Sequence, residues 1–179
     1  MGLTTGIHTR ISLAGLLTAL LSVGLQKVHA DQPFAFNPPA FLGAPEVMRA
    51  ASGNTWRFEG AAAHPAARLM ITLAEVPEGL SADDTAVCVD AFLQEIRRRR
   101  EDAFWQPETP PLRLGSREVP SWRWAGSFDQ TPATGLVACM ALGEQFLAVA
   151  LEDSINGAPQ SFPAMRRALR TLETQVGEP

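Results

Sequence analysis

Between residues 54 and 176 apolar and polar positions recur with two different periods, and the switches between them mark the elements. Trp56 and Phe58 alternate with Arg57 and Glu59. After a loop from Gly60 to Ala67 the alternation resumes at Leu69, Ile71 and Leu73 and runs to Val76. A period of two is that of a half-buried strand, so the two runs predict a hairpin. Pro77 to Gly79 stop it, and Ser81 with Asp84 three residues on has the spacing of a capping box, with Asp in place of the usual Glu. From about Ala82 to Asp102 the period lengthens, placing Cys88, Val89, Phe92, Leu93 and Ile96 on one helical face. Arg97 to Arg100 fall in the last turns, where cations complement the negative end of the helix dipole.

Past Pro107, Pro110 and Pro111 the period of two returns. Leu112 to Val119, interrupted at Gly115, predicts one strand, and Trp122, Trp124 and Phe128 alternating with Arg123, Ala125 and Ser127 predict the next. Leu136 to Leu142 and Gln145 to Leu151 are apolar on both faces and meet at Gly143-Glu144, which suits a type II′ hairpin turn with Gly first. Strands apolar on both faces belong in the centre of a sheet covered on both sides. Beyond an Asn156-Gly157 turn, Ser161 is placed to cap a helix from about Phe162 to Gln175, with Met165, Ala168, Leu169, Leu172 and Val176 on one face. The order is ββαββββα, and it predicts an α+β domain: a mostly antiparallel six-stranded sheet flanked by two helices.

The flanks read differently. Residues 31–53, with Pro33, Pro38, Pro39 and Pro45, carry no sustained period and predict an extended Pro-rich lead-in pinned to a single domain, 54–176, by Phe34, Phe36 and Phe41. Residues 1–30 have the pattern of a cleaved signal peptide: a start without acids, an apolar run from Ile11 to Leu25, and Val28-His29-Ala30 before the expected cut. That run is shorter than a spanning helix requires, so the chain is expected in the periplasm or fully secreted, with no integral membrane segment after cleavage.

Removing 30 residues changes the available chemistry. Arg10 and Lys27 leave, all 19 acids stay, and the net charge moves from −4 to −6. No Lys remains, no Tyr is present, and His64 is the one histidine left. A Lys Schiff base, a Ser-Lys dyad and a His-rich zinc site are thereby excluded, as is general nucleic-acid binding, which needs a basic footprint. The prominence of Ala and Arg suggests a GC-rich bacterial genome.

No G-x-S-x-G, phosphate-cradling Gly loop, H-E-x-x-H or C-x-x-C occurs, and no cofactor is expected. The adjacent acids Asp83-Asp84, Glu101-Asp102 and Glu152-Asp153 read as solvated turns, His64 as an exposed loop residue, and Arg97 to Arg100 as a solvated helix end. Trp122 and Trp124, two apart, share a strand face and read as core under a helix; Arg123 must emerge on the opposite face. Arginine and aromatic groups are favoured at interfaces, so Arg123, Trp122 and Trp124 are the candidate binding residues. Cys88 and Cys139, the only cysteines, survive signal removal into an oxidising compartment and predict a disulfide between the first helix and a central strand.

The hairpin Leu136 to Leu151, running through Glu152 and Asp153 into a turn and the amphipathic segment Ser161 to Gln175, resembles the end of PsbP-like domains. The resemblance spans Asn54 to Gln175 and lies in element order; the Pro-rich lead-in departs from it. It implies an αβα sandwich around an antiparallel sheet and a small, non-catalytic, exported module that binds or helps assemble larger complexes. It carries over no binding residue. The expectation is therefore an exported binding or assembly module of the bacterial envelope, meeting a protein partner or small ligand there. The alternative is a small carboxylate-based hydrolase acting on envelope glycans, which requires two carboxyls facing one another across a cleft.

Overall fold

The computed structural model describes residues 33–174 except Asp129. The expected signal peptide, 1–30, and the expected helix end at Gln175 and Val176 lie outside the described residues. In chain order the elements are β1 (Phe34–Ala35), β2 (Glu46–Ala50), β3 (Gly53–Glu59), β4 (Arg68–Glu75), α1 (Thr85–Arg99), β5 (Glu101–Pro107), β6 (Leu112–Leu114), β7 (Arg117–Val119), β8 (Ser121–Phe128), β9 (Thr131–Leu142), β10 (Gln145–Ser154), α2 (Ala158–Leu169) and β11 (Glu173–Thr174). The main sheet is antiparallel, in the order β2-β3-β4-β10-β9-β8-β5; β6-β7 and β1-β11 form two small sheets.

The two-sided apolar runs lie in the middle, as their pattern requires. On one face Leu136, Ala138, Leu147, Val149 and Leu151 join Trp56, Phe58, Leu69 and Ile71 under Phe162, Met165 and Leu169 of α2 and the leucines of β6. On the other, Cys139, Phe146 and Ala148 meet Cys88, Val89 and Leu93 of α1. The β9–β10 turn pairs Leu142 with Gln145 and puts Gly143 at φ 58°, the left-handed backbone that the first position of a type II′ turn demands. The Cys88–Cys139 disulfide is present, with α-carbons 6.2 Å apart, and ties α1 to β9.

The sheet has seven strands where the pattern predicts six. Leu112 to Val119 leaves it: the chain reverses at Gly115 (φ 59°) into the β6–β7 hairpin, which buries Leu112, Leu114 and Val119 in the main core. Two others enter. β2 pairs with β3 within the Pro-rich lead-in, and β5 takes the stretch read as the last turn of the first helix. That helix ends at Arg99; Arg100 is extended, Asp102 sits at φ 51°, and a bulge follows before Phe104. Pairing β5 with β8 turns Trp105 inward against the α1 cluster, and this tertiary gain overrides the local helical pattern.

Both helix starts also shift. The Ser81–Asp84 pair closes the turn before α1: the Ser81 N–H donates to Asp84 Oδ2 (2.8 Å), and the Ser81 hydroxyl accepts from Asp83 N–H (3.2 Å). α2 begins at Ala158 after Gly157, so Ser161 lies one turn inside it and is not the cap. The reason is Asp153. Its buried carboxylate accepts the Ser161 hydroxyl at 2.5 Å and the Ser154 N–H at 2.7 Å, and lies so near Gly157 that a β-carbon there would sit 2.6 Å from it. No helix among the described residues is long and apolar enough to cross a membrane.

Candidate functional site

α1 covers only part of its side of the sheet. It packs on β9, β5 and β10, and beside it β2, β3 and β4 line a cleft of about 890 Å³. Strand register orders the contents of that cleft. One cross-strand row pairs Glu59 with Arg68, Arg68 with Glu152, Glu152 with Gly135, Gly135 with Trp124, and Trp124 with Trp105. Two residues further along the strands, Arg57, Met70 and Ala150 form the next row, and then come Thr55, Thr72 and Ala148. Side chains two apart share a face, so all of these project to the α1 side. The cleft is charged at one end and apolar in its middle. At the far end the buried hydroxyls of Thr55 and Thr72 bond each other at 2.9 Å.

The charged end is an ion-pair chain. Arg57 meets Glu46 and Glu59, Arg68 meets Glu59 (3.7 Å) and Glu152 (3.5 Å), and Arg100 pairs with Glu152 while its guanidinium lies 5.6 Å from the centre of the Trp124 ring. On the α1 lip the buried Glu95 is ion-paired with Arg98 and Arg99. Glu95 and Glu152, the cleft carboxylates, are thus each held by two arginines, an arrangement unlike an acid and base facing across a gap.

The three residues singled out from the sequence do not converge. Trp124 is 2% exposed and walls the cleft, Trp122 is half-buried against the α1 cluster, and Arg123 lies on the opposite face. There Arg123 grips Glu108 with two hydrogen bonds (2.8 and 2.9 Å), 5.7 Å from the Phe162 ring, and Arg166 of α2 donates to the same carboxylate at 2.8 Å. Within the arginine tetrad Arg97 stacks on Trp105 and Arg98 and Arg99 serve Glu95, while Arg100 turns in toward Glu152. His64 packs on the Phe41 ring, centroids 4.6 Å apart. Sequence reasoning missed Met48, Arg57, Arg68 and Met70. Their only signal was the polar half of a strand alternation, which reads equally as a solvated face.

The Arg123 hydrogen bonds hold the Glu108 carboxyl below its ordinary value of 4.5; burial opposes them and Arg166 adds to them. A carboxylate with a lowered folded pKa stabilises the fold above its unfolded pKa, and that contribution is lost as pH falls through the folded value. Glu108→Gln is therefore expected to destabilise the protein at pH 7 and to flatten its stability profile below about pH 4.5. Urea titrations across that range check this; parallel profiles for the two proteins refute it.

No protein-family model and no curated protein matches the chain. The structure is similar to those of LpqN and PsbP. LpqN, involved in cell envelope biogenesis of Mycobacterium tuberculosis, is 10% identical, covering 81% of this chain and 87% of its own with a TM-score of 0.48. PsbP of the cyanobacterium Synechocystis is 6% identical, covering 85% of this chain and 98% of its own with a TM-score of 0.40.

Proposed function

We propose that the protein is an exported, non-catalytic binding module of the bacterial cell envelope, and that the cleft beside α1 is its binding surface. The observation that carries this reading is the half-covered sheet face. A fold that buries its other face under α2, β6 and β7 leaves here a concave, mostly apolar floor with polar groups at fixed positions, the usual character of a ligand site. Export is supported by the Cys88–Cys139 bridge joining the chain's two cysteines, since disulfides persist in oxidising compartments. Trp124 enters the reading as a wall of the cleft. Arg123, held by Glu108 on the opposite face, is a second contact, for a partner meeting that side; unchanged partner capture by a folded Arg123→Ala variant removes it.

The test places a photo-crosslinking residue at Met70, inside the cleft, or at Arg113, on the exposed side of β6, in cells exporting the protein. Light is expected to give a discrete adduct from position 70 and none from position 113. The same adducts from both positions, or none from position 70, overturn the cleft as the binding surface.

A further inference from the structure

We infer that the cleft takes a single-chain amphiphile with a phosphate or carboxylate head, an inference that rests on its reading as the binding surface. Three observations converge on this ligand chemistry. The first is the direction of the cleft: the register puts the ion-pair row at one end and Met70 and Ala150 two residues further along, with Met48, Phe92 and Ile96 around them. A molecule lying along the strands there meets charge first and apolar surface next, which matches a head joined to a tail.

The second observation is the sign of the charge. Arg57, Arg68, Arg98, Arg99 and Arg100 share four carboxylates, those of Glu46, Glu59, Glu95 and Glu152, so the polar end is net positive in a chain that is net negative. An anionic head is drawn to that end and a cationic one repelled, and the planar guanidinium fork suits phosphate and carboxylate oxygens. The third is Arg57 itself, at the boundary of the charged and apolar rows. Its Nε is buried and makes no hydrogen bond among the described residues, with Glu59 Oε1 3.5 Å away. A buried donor without an acceptor costs free energy. An anionic oxygen at the head of the cleft supplies that acceptor.

The test uses the exported chain with its disulfide intact and titrates dodecyl phosphate, laurate, dodecyl maltoside, dodecyltrimethylammonium and inorganic phosphate, each below any micelle threshold. Calorimetry and tryptophan fluorescence are the readouts. Dodecyl phosphate or laurate is expected to bind one per chain, at least about tenfold tighter than the neutral and cationic amphiphiles and than inorganic phosphate, and which of the two binds tighter identifies the head. Arg57→Gln is expected to weaken the preferred amphiphile about tenfold, the scale of one lost charge-assisted hydrogen bond. Met70→Gln is expected to weaken the amphiphile but not inorganic phosphate, and thermal melts confirm that both variants fold. Equal binding of anionic and neutral heads overturns the inference, as does inorganic phosphate binding as tightly as dodecyl phosphate, or full affinity in both variants. If neither anionic amphiphile binds while position 70 still yields its photo-adduct, the ligand class is wrong and the cleft stands; if the adduct also fails, the cleft reading falls with it.

Discussion

Reducing the Cys88–Cys139 bridge is expected to lower the free energy of unfolding by about 4 kcal/mol, the loop-closure entropy of a cross-link spanning 51 residues. The structure adds a reason for so large an effect. α1 rests on the sheet through a small cluster, Cys88, Val89 and Leu93 on Cys139, Phe146 and Ala148, with Phe92, Ile96, Trp105 and Trp122 at its margins. Little else holds the helix at that end, so the lost cross-link should also loosen the lip of the cleft. Urea unfolding of oxidised protein against reduced and thiol-blocked protein measures the difference. A change under about 1 kcal/mol means that the unfolded chain is already compact where the bridge closes it, contrary to the entropy argument.

Gly135→Ala is expected to cost about 3 kcal/mol, at the upper end for overpacking a filled interior. A β-carbon at this position would lie 2.3 Å from Trp124 Nε1 and 2.4 Å from the Leu151 carbonyl oxygen, and the latter is backbone in the central strand pair and cannot turn aside. The indole of Trp124 covers the bare glycine across the strand pair, as aromatic residues do for glycines in sheets. Displacing it should shift tryptophan emission and disturb the stack with Arg100. Gly43→Ala is the matched control, because its β-carbon would meet only the Glu59 carbonyl, at an ordinary 3.6 Å. Equal melting temperatures for the two variants would refute the packing account.

What the sequence made legible follows from where burial is two-sided. Leu136 to Leu151 announces its central place because both faces are apolar, and α1 announces itself through Cys88, Val89, Phe92, Leu93 and Ile96. Edge strands leave weaker marks. β2 fully buries only Val47, and β5 leaves Phe104 62% exposed beside an inward Trp105, so neither shows the alternation that identified β3 and β8. The start of α2 was hidden because Ser161, an ideal capping residue by type, is claimed by Asp153 from the preceding strand. The cleft was hidden more deeply. Met48, Arg57, Arg68, Glu95 and Glu152 are scattered along the chain, each on the polar or mixed side of its element. That α1 shields one half of a face and not the other is a property of packing, which no local period encodes.

The strand order has a kinetic side. β4 and β8 are not neighbours; the β9–β10 hairpin, made from the last third of the chain, sits between them. Until that hairpin docks, the β2–β3–β4 and β5–β8 halves have no sheet contact to cooperate through, and the β4–β10 pairing joins residues as distant as Arg68 and Glu152. Non-local pairing of this kind folds slowly, because the chain loses loop entropy before contacts compensate for it. The half-built sheet meanwhile exposes β4 as an open edge rich in Leu69, Ile71 and Leu73, which later pair beside Leu151, Val149 and Leu147. Nascent chains that stop before Gln145 should therefore remain unfolded and dependent on chaperones, a condition that suits passage through a membrane as an extended polypeptide.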